Sequence, residues 1–225
     1  MTVTVDEIEV ADPADAWARA GFAVDTDDVC RVGGIRIRLA ATSPAGAALA
    51  ATSAAGDRAG IVGWSLRDVP SDFSRGDVDG VPTARSHADT AAPAEHANGV
   101  TAIDHVVLLS PDLNRTVASL ADIGVQPRRE RDAELGGQQI RQIFFRLGEL
   151  ILEAVGSPDT ANEGPSTLWG ITYVVADIDA TAAFFGDRTT PVKDAVQPGR
   201  RITTLRHQDF GMSVRTAMIS TPARR

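Results

Sequence analysis

The chain has 225 residues, of which 43% are apolar and 23% charged, the balance of an ordinary folded globular protein, and its formal net charge is −8. That length allows one large or two small domains. The acidic balance, with no long basic run, argues against nucleic-acid binding, and no apolar stretch is long enough to span a membrane.

The N-terminus, MTVTVDEIEV, has neither a basic nor an apolar leader region, so no secretory signal is expected and a cytoplasmic address follows by default. Cys30 is the only cysteine, which rules out an intrachain disulfide. Flanked by valine and without a visible base, it reads as a small buried apolar residue.

Residues 3–10, VTVDEIEV, alternate apolar and polar and predict a half-exposed strand. Asp12 and Pro13 then suit the start of a helix that stops at Gly21. Two strands joined by Gly33-Gly34 follow. Residues 43–59 are Ala-rich and predict a connector with some helix. Residues 60–68, GIVGWSLRD, predict a strand, and PSDFSRG a short helix. From Arg85 to Asn98 there is no apolar periodicity, which predicts a linker or mobile loop with His87 and His96 solvated.

The stretch from Gly99 to Gly156 is the most regular part of the chain. It reads as strand, helix opened by Ser110-Pro111-Asp112, short strand, Gly136-Gly137 hairpin turn, and two apolar strands hinged at Gly148. His105 interrupts the first strand and Glu153 the last, where an unpaired polar group would be costly to bury. A strand over 168–176, a short helix in DATAAFFG and two final strands, RRITTLRHQ and MSVRTAMIS, complete the chain.

These pieces repeat. VADPADAWARAGFAV is similar to LLSPDLNRTVASLADIGVQP, and GIVGWSLRDVPSDFSRGD to WGITYVVADIDATAAFFGD. The unit therefore recurs four times, as A (about 3–43), B (about 60–84), C (about 99–157) and D (about 167–221), B lacking a clear final strand pair.

A strand-helix-strand-strand-strand module used in pairs resembles the vicinal oxygen chelate superfamily, which includes glyoxalase I, the bleomycin-resistance proteins, methylmalonyl-CoA epimerase and the extradiol dioxygenases. GVTAIDHVVLLSPDL with the later ELILEAVG looks like its glyoxalase-like branch. The resemblance implies an α+β fold of paired βαβββ modules forming open barrels, the second of the four modules degenerate. It implies a degenerate N-terminal module pair over 1–84, a linker over 85–98 and a C-terminal glyoxalase-like pair over 99–225. Metal ligands in that family come from the first and last strands of each module. His105 and Glu153 match two such positions, so the resemblance implies a divalent metal (Zn, Ni, Mn or Fe), with Glu153 a second ligand or a proton-abstracting base. The counterparts in module D fall on Tyr173 and near Thr216, in module B on Trp64, and in module A on Glu7 and Leu39, so the four-ligand set is incomplete.

Other readings stay open beside this one. His105 and Glu153 could simply hydrogen-bond each other across the barrel. Alternation turns one of Arg200 and Arg201 inward, where a guanidinium would favour an anionic oxygen substrate, or leaves both on a solvated edge. Trp64 and Tyr173 line the pocket or pack the core. Two functions are expected from different classes. One is a metal-dependent lyase, isomerase or epimerase acting on a small oxygen-rich substrate, with Glu153 catalytic and Tyr173, Arg200, Arg201 and Trp64 binding substrate. The other is a metal-free protein of the bleomycin-resistance type that sequesters a small molecule. Family members often pair modules between chains, so a homodimer is a third expectation.

Overall fold

A computed structural model describes residues 2–39 and 59–222. The Ala-rich connector over 43–59 lies, but for its last residue, outside the described residues. The rest forms two sheets. Module A gives β1 (Thr4–Val10), α1 (Ala14–Arg19), β2 (Val29–Val32) and β3 (Ile35–Arg38), and module B gives β4 (Ile61–Arg67), β5 (Asp77–Val78) and β6 (Val81–Arg85). Together these form a six-stranded sheet in the order β2-β3-β1-β4-β6-β5. Module B does have a final strand, parallel to its first. Among the described residues it lacks the helix, and PSDFSRG forms turns instead.

Module C gives β7 (Val100–Leu109), α2 (Leu113–Asp122), β8 (Pro127–Leu135), β9 (Gln138–Leu147) and β10 (Leu150–Gly156). Module D gives β11 (Thr167–Val175), α3 (Ile178–Phe185), β12 (Lys193–Asp194), β13 (Arg201–Thr204) and β14 (Arg215–Ser220). They form an eight-stranded open sheet in the order β12-β13-β14-β11-β7-β10-β9-β8. In both modules the last strand runs parallel to the first, and the two first strands meet antiparallel at the centre. β1 and β4 meet the same way in the smaller sheet. The architecture is thus α+β, with paired βαβββ units whose sheets stay open.

Local sequence explains the helices of C and D. Asp112 accepts hydrogen bonds from the N–H groups of Asn114 and Arg115, and Asp177 from those of Asp179 and Ala180, so each aspartate satisfies donors that a helix start leaves free. The β8–β9 hairpin turns on Gly136 and Gly137, both at positive φ (59° and 80°), as a tight two-residue turn requires. Asp12 does not cap α1 as expected. The cap position is Pro13, without a side-chain bond. Asp12 is buried and accepts from Trp17 Nε1 (3.0 Å) and from the Ser213 amide (2.8 Å), tying module A to module D.

The core lies between the sheets on their helical faces. Tyr173 packs on Phe22 across the boundary, with ring centroids 5.2 Å apart. Cys30 is fully buried there, and burial pushes its thiol up to about 12, which makes it inert as a nucleophile. A second tie is Asp79, at positive φ in the β5–β6 turn, which is buried and receives Arg115 Nε and the hydroxyls of Thr116 and Ser166.

The segment 85–98 connects the sheets but is not loose. Ala91, His96 and Asn98 are buried, and only His87 of the two histidines is exposed. His96 Nδ1 accepts from the Ala23 amide (3.0 Å), and Nε2 lies 3.1 Å from the Arg31 carbonyl. Both bonds require a neutral ring with its proton on Nε2. No helix among the described residues is long and apolar enough to cross a membrane.

Two measurements test these ties. Asp79→Ala strands the buried Thr116 and Ser166 hydroxyls and is expected to cost about 2–4 kcal/mol in denaturant unfolding. A cost indistinguishable from that of an exposed aspartate would remove the tie from the account. Burial holds His96 below its ordinary 6.5. The unfolded chain therefore takes up the proton first, so this stabilisation is complete above that value and is lost as pH falls below it toward the folded value. Stability measured from about pH 7.5 to about pH 5.5 should fall more steeply in wild type than in His96→Gln.

Candidate functional site

Strand β7 carries an irregularity that builds the site. Opposite β11, His105 pairs with Thr172 and Ile103 with Tyr173, so Asp104 is an extra residue. A bulge of this kind breaks alternation and turns two neighbours to one face. Ile103, Val106 and Leu108 point into the core. Asp104 and His105 instead share the face turned away from α2 and α3. His105 Nδ1 lies 2.8 Å from Asp104 Oδ2, and the other Asp104 oxygen accepts from Arg200 Nη1 at 2.6 Å.

Glu153 reaches the same face from β10, which runs parallel to β7 with Glu153 beside Val107. Its Oε2 is 3.6 Å from His105 Nε2. Its other oxygen accepts from Gln142 Nε2 on β9, and the Gln142 carbonyl oxygen accepts from Arg131 Nε (2.8 Å) on β8. The His105 and Glu153 side chains are 14% and 12% exposed, so both are held yet reachable. Burial pushes the Asp104 carboxyl up, but the hydrogen bonds and positive charges of His105 and Arg200 outweigh it and hold the group below its ordinary 3.8. Asp104 is thus an anion that engages Nδ1 of His105 and leaves Nε2 turned toward Glu153.

The other expected site residues separate. Arg200 is the inward arginine: Nε donates to the Ser220 carbonyl (2.8 Å), and Nη2 is buried with no partner among the described residues. Arg201 points outward and forms an exposed bidentate pair with Asp179 (2.9 and 2.6 Å). Tyr173 is fully buried on the core face, against Phe22, and does not line the site. Trp64 is buried in the smaller sheet, with Nε1 donating to Thr83 Oγ1 (2.7 Å).

Register corrects the expected equivalences. His105 is the seventh residue before the capping Asp112, and the seventh before the capping Asp177 is Gly170, not Tyr173. The cross-strand pairs agree, because His105 faces Thr172 and Val107 faces Gly170, as a two-fold relation between the modules demands. Glu153 stands beside Val107, and Ala217 stands beside Thr172, so Ala217 and not Thr216 is its counterpart. The smaller sheet repeats the arrangement with a bulge at Asp6. There Glu7 replaces His105, Arg38 and not Leu39 replaces Glu153, and Gly63 and Ala84 stand in module B. Glu7 and Arg38 form a bidentate ion pair (both contacts 2.9 Å).

Packing requires glycine at Gly170 and leaves little room at Gly63. A Cβ on Gly170 would lie 2.9 Å from the Arg215 carbonyl oxygen, and one on Gly63 would lie 3.1 Å from that of Pro82. A metal-ligating side chain could not stand at Gly170 without displacing β14. A divalent metal would find two donors here, His105 Nε2 and Glu153 Oε2, and no cluster of three or more His, Cys, Asp or Glu suited to a metal occurs among the described residues. Catalytic zinc sites use three protein ligands, so the donor set does not fit the resident metal that the resemblance implies.

Comparison with known proteins identifies the class. Residues 104–204, modules C and D as far as β13, match the model of the Glyoxalase/Bleomycin resistance protein/Dioxygenase superfamily. The resemblance to the vicinal oxygen chelate proteins stands on that match. Among solved structures, a variant of 4-hydroxymandelate synthase from Streptomyces coelicolor is similar over 100% of this chain and 94% of its own, with a TM-score of 0.65 at 18% identity. A fusion protein of a xylose isomerase-like TIM barrel and 4-hydroxyphenylpyruvate dioxygenase is similar over 100% of this chain and 49% of its own (TM-score 0.61, 16% identity). An extradiol ring-cleaving dioxygenase from B. fuscum is similar over 98% and 72% (TM-score 0.55, 14% identity). These likenesses show that the four-module fold is shared. No curated protein matches the chain.

Asp104, Gln142 and Arg131 were not singled out from the sequence. The one available signal was Asp104-His105 itself, two polar neighbours within an apolar strand, which alternation alone cannot place. The dyad has a spectroscopic test. In Asp104→Asn, Arg200 should take the amide oxygen and turn the NH2 group toward His105 Nδ1. Nitrogen-15 spectra of the neutral ring should then show the proton moved from Nδ1 to Nε2. An unchanged tautomer would mean that Asp104 does not set it.

Proposed function

We propose that the chain catalyses proton transfer at a carbon next to a carbonyl group in a small, oxygen-rich substrate, the chemistry of an isomerase, epimerase or lyase. One observation carries this reading. His105 Nε2 and Glu153 Oε2 converge at 3.6 Å on a reachable face, each held by an independent partner, Asp104 and Gln142. Two titratable groups supported separately and aimed at one spot are what an acid–base pair needs. Glu153 is the base that takes the proton. His105 stands ready to return one from Nε2, and the Asp104 carboxylate stabilises the ring while it is charged. Arg200 keeps Asp104 ionised and in place.

A second reading, sequestration of a small molecule without turnover, is supported by the Gly170 and Ala217 positions and by the exposed Trp169 and Leu109 on the same sheet. The two readings divide on one experiment. Deuterium uptake from heavy water into a panel of 2-oxo acids and α-substituted thioesters, followed by proton NMR, should be catalysed by the wild type. In Glu153→Gln it should fall by roughly 10²–10⁴-fold while the fold is retained. Binding of panel members without any exchange would favour sequestration, and equal exchange by wild type and Glu153→Gln would remove Glu153 as the base.

A further inference from the structure

The chain as a whole is acidic, with 30 Asp and Glu against 22 Lys and Arg, yet the face that bears His105 and Glu153 is rich in unpaired arginine. Arg131 is on this face through its bond to Gln142, and Arg129, two residues before it on β8, shares the face by alternation and pairs with Phe144. Arg146 lies across from Ile151, which in turn lies beside His105. Arg215 stands beside Gly170, where the fold leaves no room for a ligand side chain. Arg129, Arg146 and Arg215 are exposed and Arg131 is half-buried. Elsewhere arginines such as Arg36, Arg38, Arg67, Arg115 and Arg141 each pair with a carboxylate. Among the described residues, none of the four on this face does.

Beside them lies an apolar rim. Trp169 is 44% exposed, and Arg215 stacks its guanidinium over the ring, 4.8 Å from the centroid. Leu109, 36% exposed, pairs with Thr167 on the adjoining strand. A guanidinium stacked on an indole has its planar fork of N–H groups free at the edge, a geometry that suits a carboxylate. Locally concentrated positive charge on an otherwise negative molecule also draws anions to that face.

We propose that this site takes a small organic anion, a carboxylate whose apolar body rests on Trp169 and Leu109 and whose charge is met by Arg215. The proposal rests on the site used for proton transfer and names its substrate class. Arginine here supplies the positive charge that a donor set of two cannot hold as a metal.

The test uses binding alone. Trp17 and Trp64 are buried, so added quenchers report chiefly on Trp169. Fluorescence titrations with phenylacetate, hexanoate and malonate, each against its own amide, are made on the wild type and on Glu153→Gln. At least one carboxylate should bind saturably, roughly tenfold tighter than its amide, and weaken as salt is raised. Arg215→Gln should weaken it several-fold, while Arg75→Gln, which pairs with Asp122 away from this face, should not. Arg215 is exposed, so its replacement is not expected to disturb the fold. Equal affinity for acid and amide, insensitivity to salt, no effect of Arg215→Gln, or no saturable binding by any probe would overturn the proposal. Anion binding without deuterium exchange would leave it standing and remove the proton-transfer reading. Exchange confined to uncharged thioesters would do the reverse.

Discussion

The site depends on one extra residue in one strand. Without the bulge at Asp104, alternation would put the aspartate in the core and the histidine alone on the open face. With it, Asp104 and His105 stand side by side, the carboxylate faces Arg200, and the imidazole presents one nitrogen toward Glu153. A buried carboxylate is costly unless it is paired and hydrogen-bonded, and here both oxygens are used. The bulge at Asp6 in β1 shows that the device belongs to the repeat. There the carboxylate receives Arg36, Arg67 and Ser86, and the neighbouring pair is Glu7 with Arg38.

Comparison of the two sheets shows how one architecture gives two outcomes. In each pair one module supplies two functional side chains and its partner supplies a glycine and an alanine. In the smaller sheet the two side chains are of opposite charge and satisfy each other. In the larger they are an imidazole and a carboxylate that stay 3.6 Å apart, each oriented from behind by a different neighbour. The first arrangement is closed chemically and the second is open to a ligand. The close approach of β14 at Gly170 excludes a larger side chain by steric contact, and that of β6 at Gly63 leaves little room for one.

The halves are joined by buried polar groups as well as by apolar packing. Asp12 reaches module D, Asp79 reaches α2 and Ser166, and His96 fastens the connecting segment to module A. Each is a partnered group that would be expensive to leave unpartnered, so the ties favour one mutual placement of the sheets more strongly than apolar contact alone. Tyr173 and Phe22 fill the space between them.

Much of this was legible in the residues. The repeat, the strands and helices of modules C and D, the capping aspartates and the Gly136-Gly137 turn follow from patterns that act over a few residues, and so did the choice of His105 and Glu153, two polar residues in apolar strands. What escaped was whatever depends on register. The apolar run GITYVVA has no internal marker, so Tyr173 stood for a position that belongs to Gly170, and Leu39 for one that belongs to Arg38. Segment 85–98 looked loose because its bonds run to residues far away in the chain. The sequence by itself determined which groups were available and which modules would form. Only the tertiary structure decided that Arg200 and not Arg201 meets Asp104, that Trp64 and Tyr173 face the core, and that Arg129, Arg146 and Arg215 lie on the sheet face that bears Glu153. A strand's neighbours and the face it presents are set by pairing across the sheet, where a shift of one residue reverses every side chain.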